Sequence, residues 1–483
     1  MKKHGMYLLI MLLVFGLAGC EKPEGDDPII DVINIWDRLN ASNYEEGTPM
    51  VENTHVIYIN WDGFARYYYD DFIANAVDET MPTLKSLLSE GVFFEDLHTT
   101  LPSITNPCQN MILSGSTSAV TGNVYRYYNR TTNTVVQQAR ENLNKTIGDV
   151  AVEASLSVAS VSHYLLEPVL SKGAANTYYI TPSVGAGEGA IGRFDELIKM
   201  VKGEPVNVGG VNKVVAELPR FTALYVDDLD ALGHNFGPYY GYVQQYTEAG
   251  RISNVLARLK TMDQKLGELI QACKDAGIYD EITFFLTTDH GMAPYGLTSL
   301  DDMADYGTTK LGDLQSFFKN FNNDYIVEMV PAGSSPKATT SVVAVGANLN
   351  LQLTWKSGIT DEELEAIKTE LKKEPYVGVV LTRSELEAMG YMTSAADMVV
   401  TPAERYVFSS NYLATYVAKG QHDSMLDAGN HIYGIIWGNG IKKNVVYEET
   451  AFNFDFGVTM AAALGLVIPN ANGIVLDVFE GKE

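Results

Sequence analysis

The chain reads as an α/β protein with a central, mostly parallel sheet flanked by helices, and three observations predict this. Apolar runs of strand length recur at 55–61, 221–226 and 282–286. Such near-continuous apolar strands are those buried on both faces of a sheet. Each run stops at acidic residues: Asp62-Gly63, Asp227-Asp228 and, after two threonines, Asp289-His290-Gly291. Polar chemistry at the carboxyl ends of strands is where open α/β sheets hold their ligands. Finally, 252–276 carries Ile252, Val255, Leu256, Leu259, Met262, Leu266, Leu269 and Ile270 at helical spacing, as a helix laid on such a sheet requires.

Taken in order, the chain begins with Lys2 and Lys3, an apolar run over 6–17, and Leu17-Ala18-Gly19-Cys20. The run is too short to span a bilayer and has the form of a signal-peptide core. Its ending resembles a bacterial lipobox. That resemblance implies removal of the segment before Cys20, lipidation of Cys20, and anchoring to the outer membrane of a bacterial envelope, facing the periplasm or the surface. Residues 21–50 open with Glu-Lys-Pro-Glu-Gly-Asp-Asp-Pro and read as a polar tether. Residues 51–483 are then expected to form one domain, with a small α+β insertion at 320–406.

Composition narrows the function classes. With 483 residues, 46% hydrophobic and 19% charged, the chain has an ordinary folded composition. A formal charge of −26 argues against binding duplex nucleic acid. It leaves phosphate substrates open, because metal ions reverse the field inside a site. Cys108 and Cys273 are either free buried thiols or one disulfide.

Within the domain, 81–90 reads as a helix with Pro82 early and Gly91 as its stop. Pro102 and Pro107 fix an irregular loop before a helix that Gly115 closes. Thr105 lies there, either as a nucleophile facing free backbone N–H groups or as a cap. A strand is expected at 157–163. The glycine-rich 185–192 lacks the setting of a phosphate loop and reads as a loop. Asp230 and His234 have the spacing of one helical face, but Gly233 and the strand just before them favour a pair on a loop. The insertion shows strands at 325–330, 340–345 and 377–381 and a helix at 361–373. His422 sits in a polar, glycine-flanked loop at 417–424, a strand follows at 432–437, and the final helix begins at Asp455. His55, His98, His163 and His431 read as ordinary residues.

Asp62, Thr105, Asp230 with His234, Asp289 with His290, and His422 thus come from five separate segments. Carboxylates and imidazoles in this number suit divalent ions such as zinc. Their order, with Pro102-Ser103-Ile104-Thr105-Asn106-Pro107, Asp230-Ala231-Leu232-Gly233-His234, Asp289-His290-Gly291-Met292 and Gly420-Gln421-His422, resembles the alkaline phosphatase superfamily from about 55 to 476. Within it the likeness is to the nucleotide pyrophosphatase/phosphodiesterase branch and to phosphonoacetate hydrolases. The resemblance implies two zinc sites, one of Asp230, His234 and His422, the other of Asp62, Asp289, His290 and Thr105. It further implies that Thr105 attacks phosphorus and passes through a phospho-threonine. A small phosphate ester is the implied substrate, held by Asn123 or Arg126. Cys108 departs from the branch, which often has asparagine there. The x-Pro-x-Arg motif of sulfatases is missing at Thr105.

Two further readings share these residues. One is a phosphomonoesterase or phosphonate hydrolase, which needs more positive charge than the Thr105 loop carries. The other is a non-catalytic, ligand-binding surface lipoprotein, with Tyr125, Tyr127, Tyr128, Tyr239, Tyr240 and Tyr242 lining a cleft.

Overall fold

The structure, a computed structural model, describes residues 34–38, 47–74, 81–183, 187, 189–296, 309–411 and 416–481. Cys20, the signal-like segment and most of the tether lie outside the described residues.

A ten-stranded sheet organises the chain. Its strands are β1 (His55–Trp61), β2 (Gly91–Phe94), β3 (Val158–Val161), β4 (Thr177–Ile180), β5 (Val206–Val208), β6 (Val211–Lys213), β7 (Phe221–Val226), β8 (Ile282–Thr287), β9 (Gly434–Gly438) and β10 (Val445–Tyr447). Their spatial order is β10-β2-β9-β8-β1-β7-β3-β4-β5-β6. The central pairs β8-β1, β1-β7, β7-β3 and β3-β4 are parallel. Only β9 and β5 run against the rest. In β1 every residue after His55 is buried, which is why the run shows no polar alternation.

Helices cover both faces. They are α1 (Pro82–Glu90), α2 (Thr105–Ser114), α3 (Ala190–Val201), α4 (Asp228–His234), α5 (Glu248–Asp275) and α6 (Asn453–Ala463). Alternate β1 residues face opposite layers. Ile57, Ile59 and Trp61 pack with Phe194 of α3 and with Val255, Leu259 and Leu266 of α5. Val56 and Tyr58 pack with Ile112 of α2 and with Phe456 and Met460 of α6. Each such fully buried side chain contributes about 1.5–3 kcal/mol through apolar burial. Within 185–192, the structure corrects the loop reading at its end, since Ala190 already opens α3.

A buried polar chain fixes α2 to the sheet. Gln109 donates to Asn60 Oδ1 at 2.8 Å, and its Oε1 lies 2.9 Å from His163 Nε2. The amide oxygen can only accept, so Nε2 carries the proton and Nδ1, buried and without a partner, is bare. Burial accordingly pushes the His163 imidazole down to about 3. Unfolded histidine titrates near 6.5, so between the two values the unfolded chain binds the extra proton and stability falls with acidity. Acidifying from neutral pH to 5 should cost about 2 kcal/mol through this ring alone. Urea midpoints at pH 7 and pH 5 check it, because His163→Gln should flatten that loss.

A second, five-stranded sheet stands beside the first, ordered Val327–Met329, Val342–Gly346, Leu351–Trp355, Met398–Pro402 and Val377–Thr382. The helices Leu311–Phe321 and Asp361–Leu371 pack on it through Phe318, Leu364 and Ile367 against Trp355 and Val400. Cys108 and Cys273 are both buried free thiols.

Candidate metal centre and nucleophile

The sheet register explains why distant residues meet. In the β1–β7 pairing Trp61 lies opposite Val226, and in the β1–β8 pairing Asn60 lies opposite Thr287. Asp62 therefore leaves β1 beside the starts of the segments bearing Asp230 and Asp289. Gly63 makes this approach possible. It has φ +78°, and a Cβ there would stand 2.9 Å from the Asp230 Cα. Gly63→Ala is expected to destabilise the fold by about 2 kcal/mol and to lower bound metal. A thermal melt and elemental analysis of the purified variant check both.

Two groups of ligand atoms result, each with its atoms within 4.8 Å of one another: Asp62, Asp289 and His290; and Asp230, His234 and His422. In the first, His290 Nε2 lies 3.3 Å from Asp62 Oδ1 and 3.7 Å from Asp289 Oδ2. In the second, Asp230 Oδ1 is 3.2 Å from His234 Nε2 and 3.6 Å from His422 Nε2. Asp230 and His234 lie on α4, one turn apart, so the loop expected for them is a helix. Its strand ends at Val226 and the helix begins two residues later, too abruptly for the local pattern to reveal.

The hydrogen bonds around these groups test whether they suit cations. Asp62 Oδ1, Asp289 Oδ2 and Asp230 Oδ1 are all buried with no hydrogen-bond partner. Buried, unsatisfied carboxylate oxygens are costly unless a cation compensates them. All three imidazoles turn Nδ1 onto a backbone carbonyl: His290 to Gly291, His234 to Gly420 and His422 to Ser103, each at 3.0 Å. That bond protonates Nδ1 and leaves the Nε2 lone pair directed at the site, the arrangement of metal-ligating histidine. The residues therefore fit two divalent ions.

Charge within the cluster points the same way. Burial, then the neighbouring Asp289 and Asp230 carboxylates, holds Asp62 well above the usual range. Burial, reinforced by His290, holds the His422 imidazole well below its ordinary value and therefore neutral. Burial opposes the charge on Asp230, but the neighbouring His234 outweighs it and draws its carboxyl down. The mutual repulsion of three carboxylates is relieved when positive ions enter.

Thr105 stands over this cluster. It opens α2, and its Oγ1 lies 3.2 Å from His290 Nε2. Its hydroxyl caps nothing, and the first N–H groups of α2 have no intrahelical acceptor. A cleft of about 920 Å³ opens from here toward the small sheet, lined by Thr105, Asn106, Tyr125, Arg126, Phe236 and Lys337 among others.

The two residues singled out for the phosphate have different surroundings. Asn123 is fully buried, and its amide N–H groups go to the Ala139 and Glu141 carbonyls at 3.3 and 2.8 Å. Arg126 lines the cleft, its guanidinium over the Tyr125 ring at 4.7 Å and its Nε bonded to Gln137 at 2.6 Å. Cys108 is fully buried, with Sγ 3.3 Å from the Pro102 carbonyl and neighbours Met111 and Phe454. Among the six tyrosines, Tyr125 lines the cleft, whereas Tyr128 is buried against Val135 and Val343.

Sequence reasoning missed several supporting residues. The Tyr225 hydroxyl donates to Asp62 Oδ2, which leaves Oδ1 for the site. Asn453 donates to the Asp289 carbonyl at 2.8 Å. Arg251, fully buried, donates to the Gly233 carbonyl at 3.1 Å and to the hydroxyls of Tyr67 and Tyr68. Tyr67 in turn donates to Met292. Both ligand-bearing turns thus rest on one buried guanidinium.

Comparison with known proteins decides the family. The sequence model of the family described as "Type I phosphodiesterase / nucleotide pyrophosphatase" matches residues 56–425, more than three quarters of the chain. The chain belongs to this family. Its members hydrolyse phosphate-ester bonds. A bis(5'-adenosyl)-triphosphatase of Xenopus laevis is 34% identical over 89 residues, 17% of each protein. Ectonucleotide pyrophosphatase/phosphodiesterase family member 7 of Mus musculus is 24% identical over 259 residues, 51% of this chain and 52% of that protein. The chain thus spans about half or less of these relatives' length. In fold it is similar to human ectonucleotide pyrophosphatase/phosphodiesterase 5, with a TM-score of 0.58 at 15% identity over 87% of this chain and 97% of the other. The murine counterpart, in an inactive form complexed with AMP, gives a TM-score of 0.57 at 16% identity, with the same coverages.

Proposed function

We propose that the protein is a two-metal phosphodiesterase or nucleotide pyrophosphatase in which Thr105 is the nucleophile. The observation that carries this reading is the position of Thr105 Oγ1, at a helix N-terminus and 3.2 Å from His290, over the two groups of unpartnered ligand atoms. Asp62, Asp289 and His290, with Thr105, would hold one ion, and Asp230, His234 and His422 the other. Zinc suits this nitrogen and oxygen donor set, and when bound it would supply positive charge and ease loss of the threonine proton.

The chain's own residues do the rest. The free N–H groups at the start of α2 hold the phosphoryl oxygens. An Oγ1–P bond forms as the P–O bond to the leaving group breaks. Water then attacks phosphorus, the Oγ1–P bond breaks, and the threonine is regenerated. The leaving group lies in the cleft toward the small sheet. The complex of the murine relative with AMP supports a nucleotide-type ester among the substrates.

A monoesterase is the second reading, favoured by Arg126 on the cleft wall beside Thr105. Comparing an aryl phosphodiester with the matching monoester separates the two. The diesterase reading predicts the higher kcat/KM for the diester, and a monoester preference overturns it.

We further propose that Cys20 carries a lipid and that residues 21–50 tether the domain outside the inner membrane. Among the described residues no helix is long and apolar enough to cross a membrane. The expected result is that Cys20→Ala moves the protein from the membrane to the soluble fraction of its host. Retention in the membrane fraction would contradict it.

A further inference from the structure

Asn106 follows the nucleophile in the proline-bounded loop, and the sequence gives its side chain no role of its own. In the structure it sits in the first turn of α2 and lines the cleft beside Thr105. Among the described residues its side chain has a single hydrogen-bond partner, the Tyr164 hydroxyl, at 2.5 Å from Oδ1. Tyr164 is held in turn between the Arg140 guanidinium, 5.2 Å over its ring, and the edge of Tyr225, whose hydroxyl bonds Asp62.

An amide can present either its oxygen or its nitrogen to a neighbour. Bound anionic phosphoryl oxygens carry no proton to give, so only the nitrogen end can meet them favourably. A hydroxyl donating to Oδ1 selects that orientation, because both amide N–H bonds then remain for the cleft. With the free N–H groups of α2, the Asn106 amide completes a cradle of neutral donors around the point where phosphorus meets Oγ1. Asn123 has no N–H left to offer there, since both go to backbone carbonyls.

We propose that Asn106 is a substrate-binding residue for the phosphoryl oxygens and that Tyr164 is a positioning residue acting through it. This rests on the assignment of Thr105 as nucleophile. A cradle of neutral donors matches a singly charged diester, which needs hydrogen bonds more than it needs another cation.

The test is a double-mutant cycle on the metal-loaded protein, with bound metal measured for every variant and inorganic phosphate as a competitive inhibitor. Asn106→Ala is expected to lower diester kcat/KM by about 10–100-fold, the effect of losing a hydrogen bond to a charged group. Phosphate inhibition should weaken in parallel, with metal content unchanged. Asn106→Asp keeps the shape, adds a negative charge and should lose more. Tyr164→Phe should cost about 3–10-fold in the parent and less than about 2-fold in the Asn106→Ala background, because a residue acting only through Asn106 has nothing left to act on.

An Asn106→Ala protein within about 2-fold of the parent, while Thr105→Ala is inactive, overturns the proposal and leaves the nucleophile standing. Equal Tyr164→Phe losses in both backgrounds overturn the positioning role. Activity that survives Thr105→Ala instead overturns the reading on which the proposal rests.

Discussion

Thr105→Ala is expected to lower phosphodiester turnover by about 10⁴-fold or more while leaving the fold and the bound metal in place. The hydroxyl caps no helix N–H and packs into no core, so its loss removes chemistry and little else. Residual turnover would come from the remaining donors and ions acting on a water nucleophile. Thermal melts of parent and variant should agree to within about 2 °C, the range of a surface-like substitution. Steady-state kinetics on the aryl diester and elemental analysis of the same preparations check the expectation. An active variant would move the nucleophile elsewhere.

Chelation is expected to have the second largest effect. Dialysis against a strong chelator should abolish turnover and lower the melting temperature, and added zinc should restore both. The stability change follows from the three buried carboxylate oxygens with no hydrogen-bond partner. Without cations these repel one another inside the protein, whereas binding to the native state alone stabilises it by RT ln(1 + [L]/Kd), about 4 kcal/mol at a thousandfold excess over Kd. Elemental analysis should find two ions per chain in the parent and about one in Asp230→Ala, whose change empties one of the two groups. Turnover that is indifferent to chelation would remove the metal from the mechanism.

Much of the central sheet was legible because burial on both faces leaves a plain signature. The apolar runs at 55–61, 221–226 and 282–286 coincide with β1, β7 and all but the last residue of β8. The small sheet was read in part. Leu351–Trp355 and Met398–Pro402 escaped notice, the latter because it ends in proline and continues without a turn signal. Residues meant for the site by type were visible one by one, since acids and imidazoles after buried strands have few other uses.

What the sequence could not reveal was which neutral residues support them. Asn453 reaches Asp289 across 164 positions, and Tyr225 reaches Asp62 across 163. Those contacts exist only once β1, β7, β8 and α6 are packed. Asn106 is a similar case: beside Thr105 it reads as part of a proline-bounded loop, and only Tyr164, 58 residues on, gives its amide a direction. The helix at Asp228–His234 was misjudged for a local reason, as Gly233 lowers helix propensity, and in the structure it packs closely against the Met292 side chain.

The most direct test of the account is to stop the reaction with acid during steady turnover of a phosphodiester and map the protein by mass spectrometry. The account predicts an adduct on the peptide containing Thr105, its mass that of the phosphoryl group with the ester group retained from the diester, located on that residue and absent from Thr105→Ala. Rapid turnover with no adduct on Thr105, or an adduct on another residue, would contradict it.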